Sequence, residues 1–277
     1  EKDDSLFYRT EVTETSTLND SALYGFNGIS QFSSAANVSI TKLCSRLGLY
    51  ASEAGNRFYY RTATPVVNSL FGIKYLIKKN GSLNTEEMSL EFSGKAINST
   101  MYENRFALSL GFMMDEKILE ISDKAGLNPF EYQNQVMSLA SGLDEYCFTA
   151  QAVGFVDYNN MDVTKNGFGN YTFRCSEESP VSKSTYTYYG VEGSYLYGYA
   201  SSNGSCEHLN IKCNGQTIDS GDLIKSHPIV FPMGNGQDGS TSTVEIQAQS
   251  DKTSGNFKLM VYALSQDVFE KSYNKLA

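Results

Sequence analysis

The chain has 277 residues, 40% of them apolar, with 16 Phe, 19 Tyr and no Trp. That length suits two domains, and the apolar content supports a packed core and excludes global disorder. Its 22 basic and 31 acidic groups leave a formal charge of −9, which excludes nucleic acid as a partner and argues against docking on anionic lipid through basic residues.

In chain order, Phe7–Val12 alternates and is predicted to be a strand. Residues 21–34, rich in Gly, Asn, Ser and aromatics, follow no clean period and are expected to form a structured loop. Ile40, Leu43, Cys44 and Leu47 fall on one helical stripe, with Asn37 or Ser39 as cap and Gly48 near the end. Thr64-Pro65 sets a cap and a first-turn proline for a short helix to about Phe71, closed by Gly72. Ile73, Tyr75 and Ile77 then alternate as a strand, and Phe106, Leu108, Leu110 and Phe112 predict another. Asn128-Pro129-Phe130-Glu131 is a capping box with proline in the first turn, so a helix is predicted from Pro129 to about Ser141, ended by Gly142.

Beyond about Tyr146 the pattern changes to short alternating segments: 146–155, 168–174, 185–189, 195–199, 209–213, 244–248 and 257–263. Gly/Asn/Ser/Asp turns such as Ser202–Ser205 separate them, as in an antiparallel sandwich. Residues 267–276 are expected to form a terminal helix. The fold expected is therefore two domains. An α+β domain over residues 1–144 precedes an all-β, jelly-roll-like antiparallel sandwich over 145–277, resembling a carbohydrate-binding module.

Motifs for catalysis are sparse. The two histidines, His208 and His227, lie outside any metal-ligand or triad spacing, and no nucleophile elbow or Walker loop occurs. Gly234-Asn-Gly236-Gln-Asp-Gly239 matches a dinucleotide fingerprint, but a strand rather than a helix follows it, so it reads as a hairpin turn. Asp157, Asn159 and Asp162 are weak candidates for a calcium loop, better read as an Asx-rich turn. The pairs Glu86-Glu87, Asp115-Glu116 and Glu177-Glu178 diverge on extended backbone and make poor glycosidase acids. Cys206 and Cys213 would face opposite sides of one strand, about 20 Å apart, so a disulfide there is disfavoured. Tyr195, Tyr197 and Tyr199 share one face of a strand, either as a platform for stacking on a sugar or as cross-strand packing.

The chain begins without a basic or apolar leader and has no run of about 18 apolar residues, and so is expected to be a soluble piece of a larger protein. Five segments in order, Phe7–Glu11, Leu23–Ser34, Ser69–Ile77, Tyr102–Phe112 and Asn128–Asn134, resemble the bacterial YfhO-type membrane proteins. The resemblance implies a polytopic parent, in Gram-positive bacteria among others, whose membrane part is similar to GT-C glycosyltransferases. Such an enzyme transfers a sugar from a polyprenyl-phosphate donor to an extracytoplasmic acceptor such as teichoic acid. The region in hand would lie at the extracytoplasmic face, non-catalytic and without a cofactor of its own. It would contact its own transmembrane domain and a cell-wall polysaccharide. Within that expectation, Arg9 pairs with a phosphate, and Tyr24, Asn27 and Ser30 line the acceptor site, Asn27 and Ser30 bonding sugar hydroxyls. An internal role for Arg9 and the loop is the competing reading. The alternative for the whole chain is a free-standing, non-catalytic carbohydrate-binding or adhesion protein.

Overall fold

A computed structural model describes residues 7–52, 54–121, 126–176, 181–201, 209–219, 228–248 and 253–277. The chain falls into two compact units, one of residues 1–147 with 266–277, the other of residues 148–265. The last helix thus belongs with the first unit. His208, His227, Cys206, Glu177, Glu178 and the 202–205 turn lie outside the described residues.

The first unit contains β1 (Arg9–Val12), α1 (Asp20–Tyr24), β2 (Gln31–Phe32), α2 (Val38–Arg46), β3 (Tyr50–Ala51), β4 (Arg57–Tyr59), α3 (Pro65–Leu70), β5 (Ile73–Lys79), β6 (Leu90–Ala96), β7 (Ser99–Asn104), α4 (Pro129–Ser141) and α5 (Gln266–Leu276). Its main sheet has the order β1-β5-β7-β6, with β1 parallel to β5 and the other pairs antiparallel. A small antiparallel sheet, β2-β4-β3, accompanies it.

The helices begin where their caps dictate. Thr64 accepts from Val67 N–H at the start of α3, and Asn128 accepts from Phe130 and Glu131 while Glu131 returns a bond to Asn128 N–H. Positive-φ glycines follow, Gly72 just after α3 and Gly142 at the end of α4. Gln133 on α4 accepts from the Thr64 hydroxyl at 2.6 Å and donates to Leu47 O at 2.8 Å. One buried amide thereby ties the α3 cap to the end of α2, because each of these groups would otherwise be left without a partner.

Two expectations change. The 21–34 segment contains α1 and β2, so it is more regular than its composition implies. The 106–112 alternation is not a strand. The Asn104 side chain accepts from Phe106 N–H at 3.0 Å and turns the chain out of the sheet as β7 ends.

The second unit consists of β8 (Phe148–Gln151), β9 (Phe155–Asn159), β10 (Met161–Lys165), β11 (Asn170–Cys175), β12 (Ser182–Tyr189), β13 (Ser194–Ser201), β14 (Leu209–Cys213), β15 (Gln216–Asp219), β16 (Ile229–Asn235), β17 (Thr241–Ala248) and β18 (Ser254–Ser265). Two antiparallel sheets face each other. One runs β10-β11-β18-β13-β16, with β8 continuing beside β11 along the same edge of β18, and the other runs β15-β14-β17-β12-β9. Alternation sets the core: Leu209, Ile211 and Cys213 from β14 and Val244, Ile246 and Ala248 from β17 meet Phe173, Phe231, Phe257 and Val261 of the opposing sheet. On the other face of the second sheet, Glu245 accepts from Lys183 at 2.6 Å and Lys212 at 3.1 Å across three adjacent strands.

The Gly234–Gly239 segment leads from β16 to a strand, β17, as expected. However, β16 and β17 belong to different sheets, so the segment is a crossing between sheets and not a hairpin. Gly236 donates to Ser194 O at 2.7 Å, and a Cβ there would lie 2.5 Å from that oxygen. Pro232 interrupts β16, which is tolerable because β16 is an edge strand.

Within β13, Gly198 sits between the buried Leu196 and Ala200 on the inner face. A Cβ at Gly198 would lie 2.3 Å from the Phe231 ring, so the glycine makes room for that ring. Gly198→Ala is expected to destabilise the unit by about 1–3 kcal/mol. The additional substitution Phe231→Leu should recover part of that loss in denaturant unfolding. A double variant no more stable than Gly198→Ala alone would show that the ring is not what excludes the methyl group.

Candidate functional site

The first unit carries an open cleft of about 290 Å³ between the start of β1, the α3–β5 corner and the segment that leaves β7. Its walls are held by main-chain geometry. Gly72 adopts φ +60°, and a Cβ on it would lie 2.8 Å from Leu108 O. Leu108 N–H in turn donates to Ser69 O at 3.3 Å. The 105–110 segment can therefore lie directly on the end of α3 only because residue 72 lacks a side chain.

Three cations line this cleft. Arg9 donates from Nη1 to Phe71 O at 2.6 Å, capping the last turn of α3, and its guanidinium lies 5.7 Å from the centre of the Phe7 ring. Burial lowers its pKa, since the guanidinium is partly stripped of water. Lys74 is placed by a β-bulge: Arg9 pairs with Ile73 and Thr10 with Tyr75, leaving Lys74 as the extra residue. Asn104 Nδ2 donates to Ile73 O at 2.9 Å beside the bulge. Because of the bulge Ile73 and Leu76, not Ile73 and Tyr75, are the buried residues of β5. The Lys74 ammonium lies 5.8 Å and 5.6 Å from the ring centres of Tyr8 and Tyr75, two rings set edge to face. Arg105 pairs with Glu91 at 3.2 Å. Glu91 and Glu103 stand directly opposite across β6 and β7, a repulsive placement that Arg105 offsets. The cleft thus presents three cations against one lining carboxylate, in a chain whose net charge is −9. It offers charge, edge-on aromatic surface and the apolar side chains of Leu108 and Leu110.

Of the residues expected at a site, Arg9 lines this cleft. Asn27 adjoins it along β1, its Nδ2 3.4 Å from Tyr8 O and its own carbonyl accepting from Thr10 N–H at 2.8 Å. Tyr24 is exposed at the end of α1. Ser30 is buried: its N–H and hydroxyl bond the Glu11 carboxylate at 2.9 and 3.0 Å, and its Oγ accepts from Tyr60 N–H at 2.9 Å. That hydroxyl is committed to the fold. Lys74 and Arg105 escape a reading based on alternation, although both stand in segments that carry the family resemblance. In fact every lining residue falls in Phe7–Glu11, Ser69–Ile77 or Tyr102–Phe112.

In the second unit, Tyr195, Tyr197 and Tyr199 do share the face of β13 opposite Leu196 and Ala200. Tyr197 is fully buried, with Phe148 set edge-on at 6.3 Å, and Tyr195 and Tyr199 are half-buried, so the three present no open platform. Tyr186 and Tyr188 belong to the sandwich core. Asp157 and Asn159 lie on β9 and Asp162 on β10, in different sheets, with Asn160 at φ +51° making the crossing. They do not share a loop. Among the described residues no group of three His, Cys, Asp or Glu is placed to hold a metal ion.

The family description "Bacterial membrane protein YfhO" matches residues 1–277. The chain belongs to the YfhO family. Among the described residues no helix is long and apolar enough to cross a membrane. No curated protein matches the chain. Several solved structures show partial similarity. A family 35 carbohydrate-binding module from Clostridium thermocellum is 12% identical, with 42% of this chain and 96% of that one covered and a TM-score of 0.29. The CBM35 of Paenibacillus barcinonensis is 13% identical, with coverage of 40% and 96% and a TM-score of 0.27. A CBM36-1 domain of a xylanase from the hindgut metagenome of Trinervitermes trinervoides is 18% identical, with coverage of 42% and 95% and a TM-score of 0.26.

The loop beside the cleft rests on Glu11, a buried carboxylate that accepts from Ile29 and Ser30 N–H. Burial raises its pKa above the ordinary 4.5 more than these bonds lower it. The folded state therefore holds the proton more tightly than the unfolded chain. Stability from this group is greatest below pH 4.5 and declines as pH rises through the raised value. Glu11→Gln should flatten that decline in urea unfolding, and Glu11→Ala should cost about 1–3 kcal/mol by leaving two buried N–H groups unpaired. Parallel pH profiles for the native chain and Glu11→Gln would contradict the assignment.

Proposed function

We propose that this region is the extracytoplasmic accessory part of a polytopic membrane glycosyltransferase, and that the Arg9–Lys74–Arg105 cleft holds a phosphate-bearing stretch of the acceptor. The carrying observation is the convergence of three cations in an acidic chain, within three segments typical of the family. Guanidinium and ammonium groups at the mouth of an aromatic-walled cleft suit a phosphodiester: charge-assisted bonds hold the phosphate, and the Tyr8 and Leu110 side of the cleft accommodates the adjoining carbon chain. A teichoic acid has that chemistry. The sugar would come from a polyprenyl-phosphate donor, and the bond-making groups would belong to the membrane-embedded part of the parent protein. This region's own task would be to keep the acceptor in register, since holding one reactant near the other replaces translational freedom that the reaction would otherwise lose. The two compact units would then be two domains, the α+β one engaging the acceptor phosphate. Family membership favours this reading over a free-standing adhesion protein.

The test is sugar transfer to cell-wall polymer by the whole membrane protein carrying Lys74→Gln, Arg105→Gln or both. Arg105 is exposed and Lys74 partly exposed, so folding should be retained. Losing one hydrogen bond to a charged group should reduce transfer about tenfold or more, with the double variant lower still and the difference from the native protein narrowing as salt is raised. A double variant present in the membrane at normal level and transferring at the native rate would overturn the proposal.

A further inference from the structure

The second unit has a smaller hollow, of about 150 Å³, lined by Asn166, Asn170, Tyr171, Asn256, Phe257 and Lys258. It lies where the β10–β11 turn meets the start of β18, and its walls are held in place. Gly167 and Gly169 take φ +130° and +66°, and a Cβ on Gly169 would lie 2.3 Å from Met260 Cγ and 2.9 Å from Leu259 O. Asn166 N–H donates to Asn170 O at 2.8 Å, and Leu259 N–H donates to Gly169 O at 2.8 Å, which pins the turn to β18. Behind it Tyr171 and Phe257 stack at 5.0 Å with their planes 15° apart, both buried.

The polar groups are pre-set as well. Asn166 Nδ2 donates to Thr172 Oγ1 at 2.5 Å, and Thr172 Oγ1 donates to Asn256 Oδ1 at 2.9 Å. Asn170 Nδ2 donates to Phe168 O at 2.9 Å. In both Asn166 and Asn170 the amide nitrogen is thus engaged while the amide oxygen has no partner among the described residues. Lys258, half-exposed at the same hollow, has no ion pair among them either. Two fixed acceptors and one flexible donor, in a rigid hollow with room for about one six-membered ring, form a pattern that hydroxyl groups satisfy. A hydroxyl gives its proton to an amide oxygen and accepts from an ammonium, and a ring of such groups does both at once. An ionised phosphate, which only accepts, lacks that balance of donors and acceptors.

We infer that this hollow is a binding subsite for a single hydroxyl-rich sugar ring, with Asn166 and Asn170 as acceptors, Lys258 as donor and Asn256 orienting the array through Thr172. The inference deepens the reading that this region engages a surface polymer. It places a sugar contact apart from the phosphate-holding cleft.

The test is saturation-transfer NMR on the 277-residue chain with the methyl glycosides of glucose, galactose and glucuronate as probes. At least one should bind saturably. Asn166→Ala with Asn256→Ala should weaken that binding tenfold or more at an unchanged unfolding midpoint. If that pair lowers the midpoint, Lys258→Met, which keeps the apolar stem, should produce the same loss. Lys74→Gln should leave sugar binding untouched, so failure here and failure of the transfer reading are distinguishable. No saturable binding by any of the three probes, or binding indifferent to Lys258→Met in a folded chain, would overturn the inference.

Discussion

The first unit depends on a carboxylate taken out of water. Glu11 is buried in the middle of an edge strand and is held by donors rather than by a cation: the N–H groups of Ile29 and Ser30 and the Ser30 hydroxyl. Such a group is tolerable only while every bond is made. The chain around it is built to make them. A Cβ on Gly28 would lie 2.9 Å from Glu11 Oε1, and Ser30 passes the connection on to Tyr60, just past the end of the central strand of the small sheet. The same tie brings Asn27 alongside β1, where its carbonyl accepts from Thr10. Strand β1 is thereby fixed on both sides, by β5 and by the 27–30 segment, and Arg9 at its start inherits a fixed position.

A fixed strand alone would not gather cations. The bulge at Lys74 changes the side-chain alternation of β5 midway, keeping Ile73 and Leu76 inward and leaving Lys74 at the cleft against Tyr8 and Tyr75. The turn at Asn104 does the corresponding work on the other wall, since the side chain that satisfies Ile73 O also accepts from Phe106 N–H. Arg105 leaves the sheet at that point and reaches Glu91. Two departures from regular strand geometry, joined by one asparagine, therefore set the composition of the cleft.

These departures mark the limit of what the sequence discloses. Local signals were legible: the Thr64-Pro65 and Asn128–Glu131 caps, the glycines after α3 and α4, the alternation of β14 and β17, and the terminal helix all depend on neighbours within a few residues. Bulges and sheet partners depend on residues far away. Nothing near Phe106 shows that Asn104 will end the strand, and β16 escapes notice because Pro232 and Gly234 break its pattern while its place at a sheet edge tolerates both. Arg9 is legible as part of a site, whereas the alternation of Ile73, Tyr75 and Ile77 gives no reason to single out Lys74. Ser30 looked like a ligand-facing hydroxyl because its partner, Glu11, is 19 residues away.

Tyrosine makes the same point in the second unit. Six tyrosines between residues 186 and 199 suggest a surface for stacking, but composition does not reveal which face a strand turns inward. Tyr186 and Tyr188 occupy alternate positions on β12 and pack into the sandwich, where burial pushes their hydroxyls far above the ordinary 10. On β13 the phase is opposite: Leu196, Gly198 and Ala200 face inward, Gly198 leaving room for the Phe231 ring, so Tyr195, Tyr197 and Tyr199 must point away. Aromatic surface is therefore used for packing, and the groups left to meet a ligand are carboxamides and a lysine where a glycine-pinned turn closes on β18. In a chain without tryptophan, the sugar subsite we infer would rest on the direction of hydrogen bonds more than on ring stacking, which favours contact with one residue of a polymer over contact with an extended flat face.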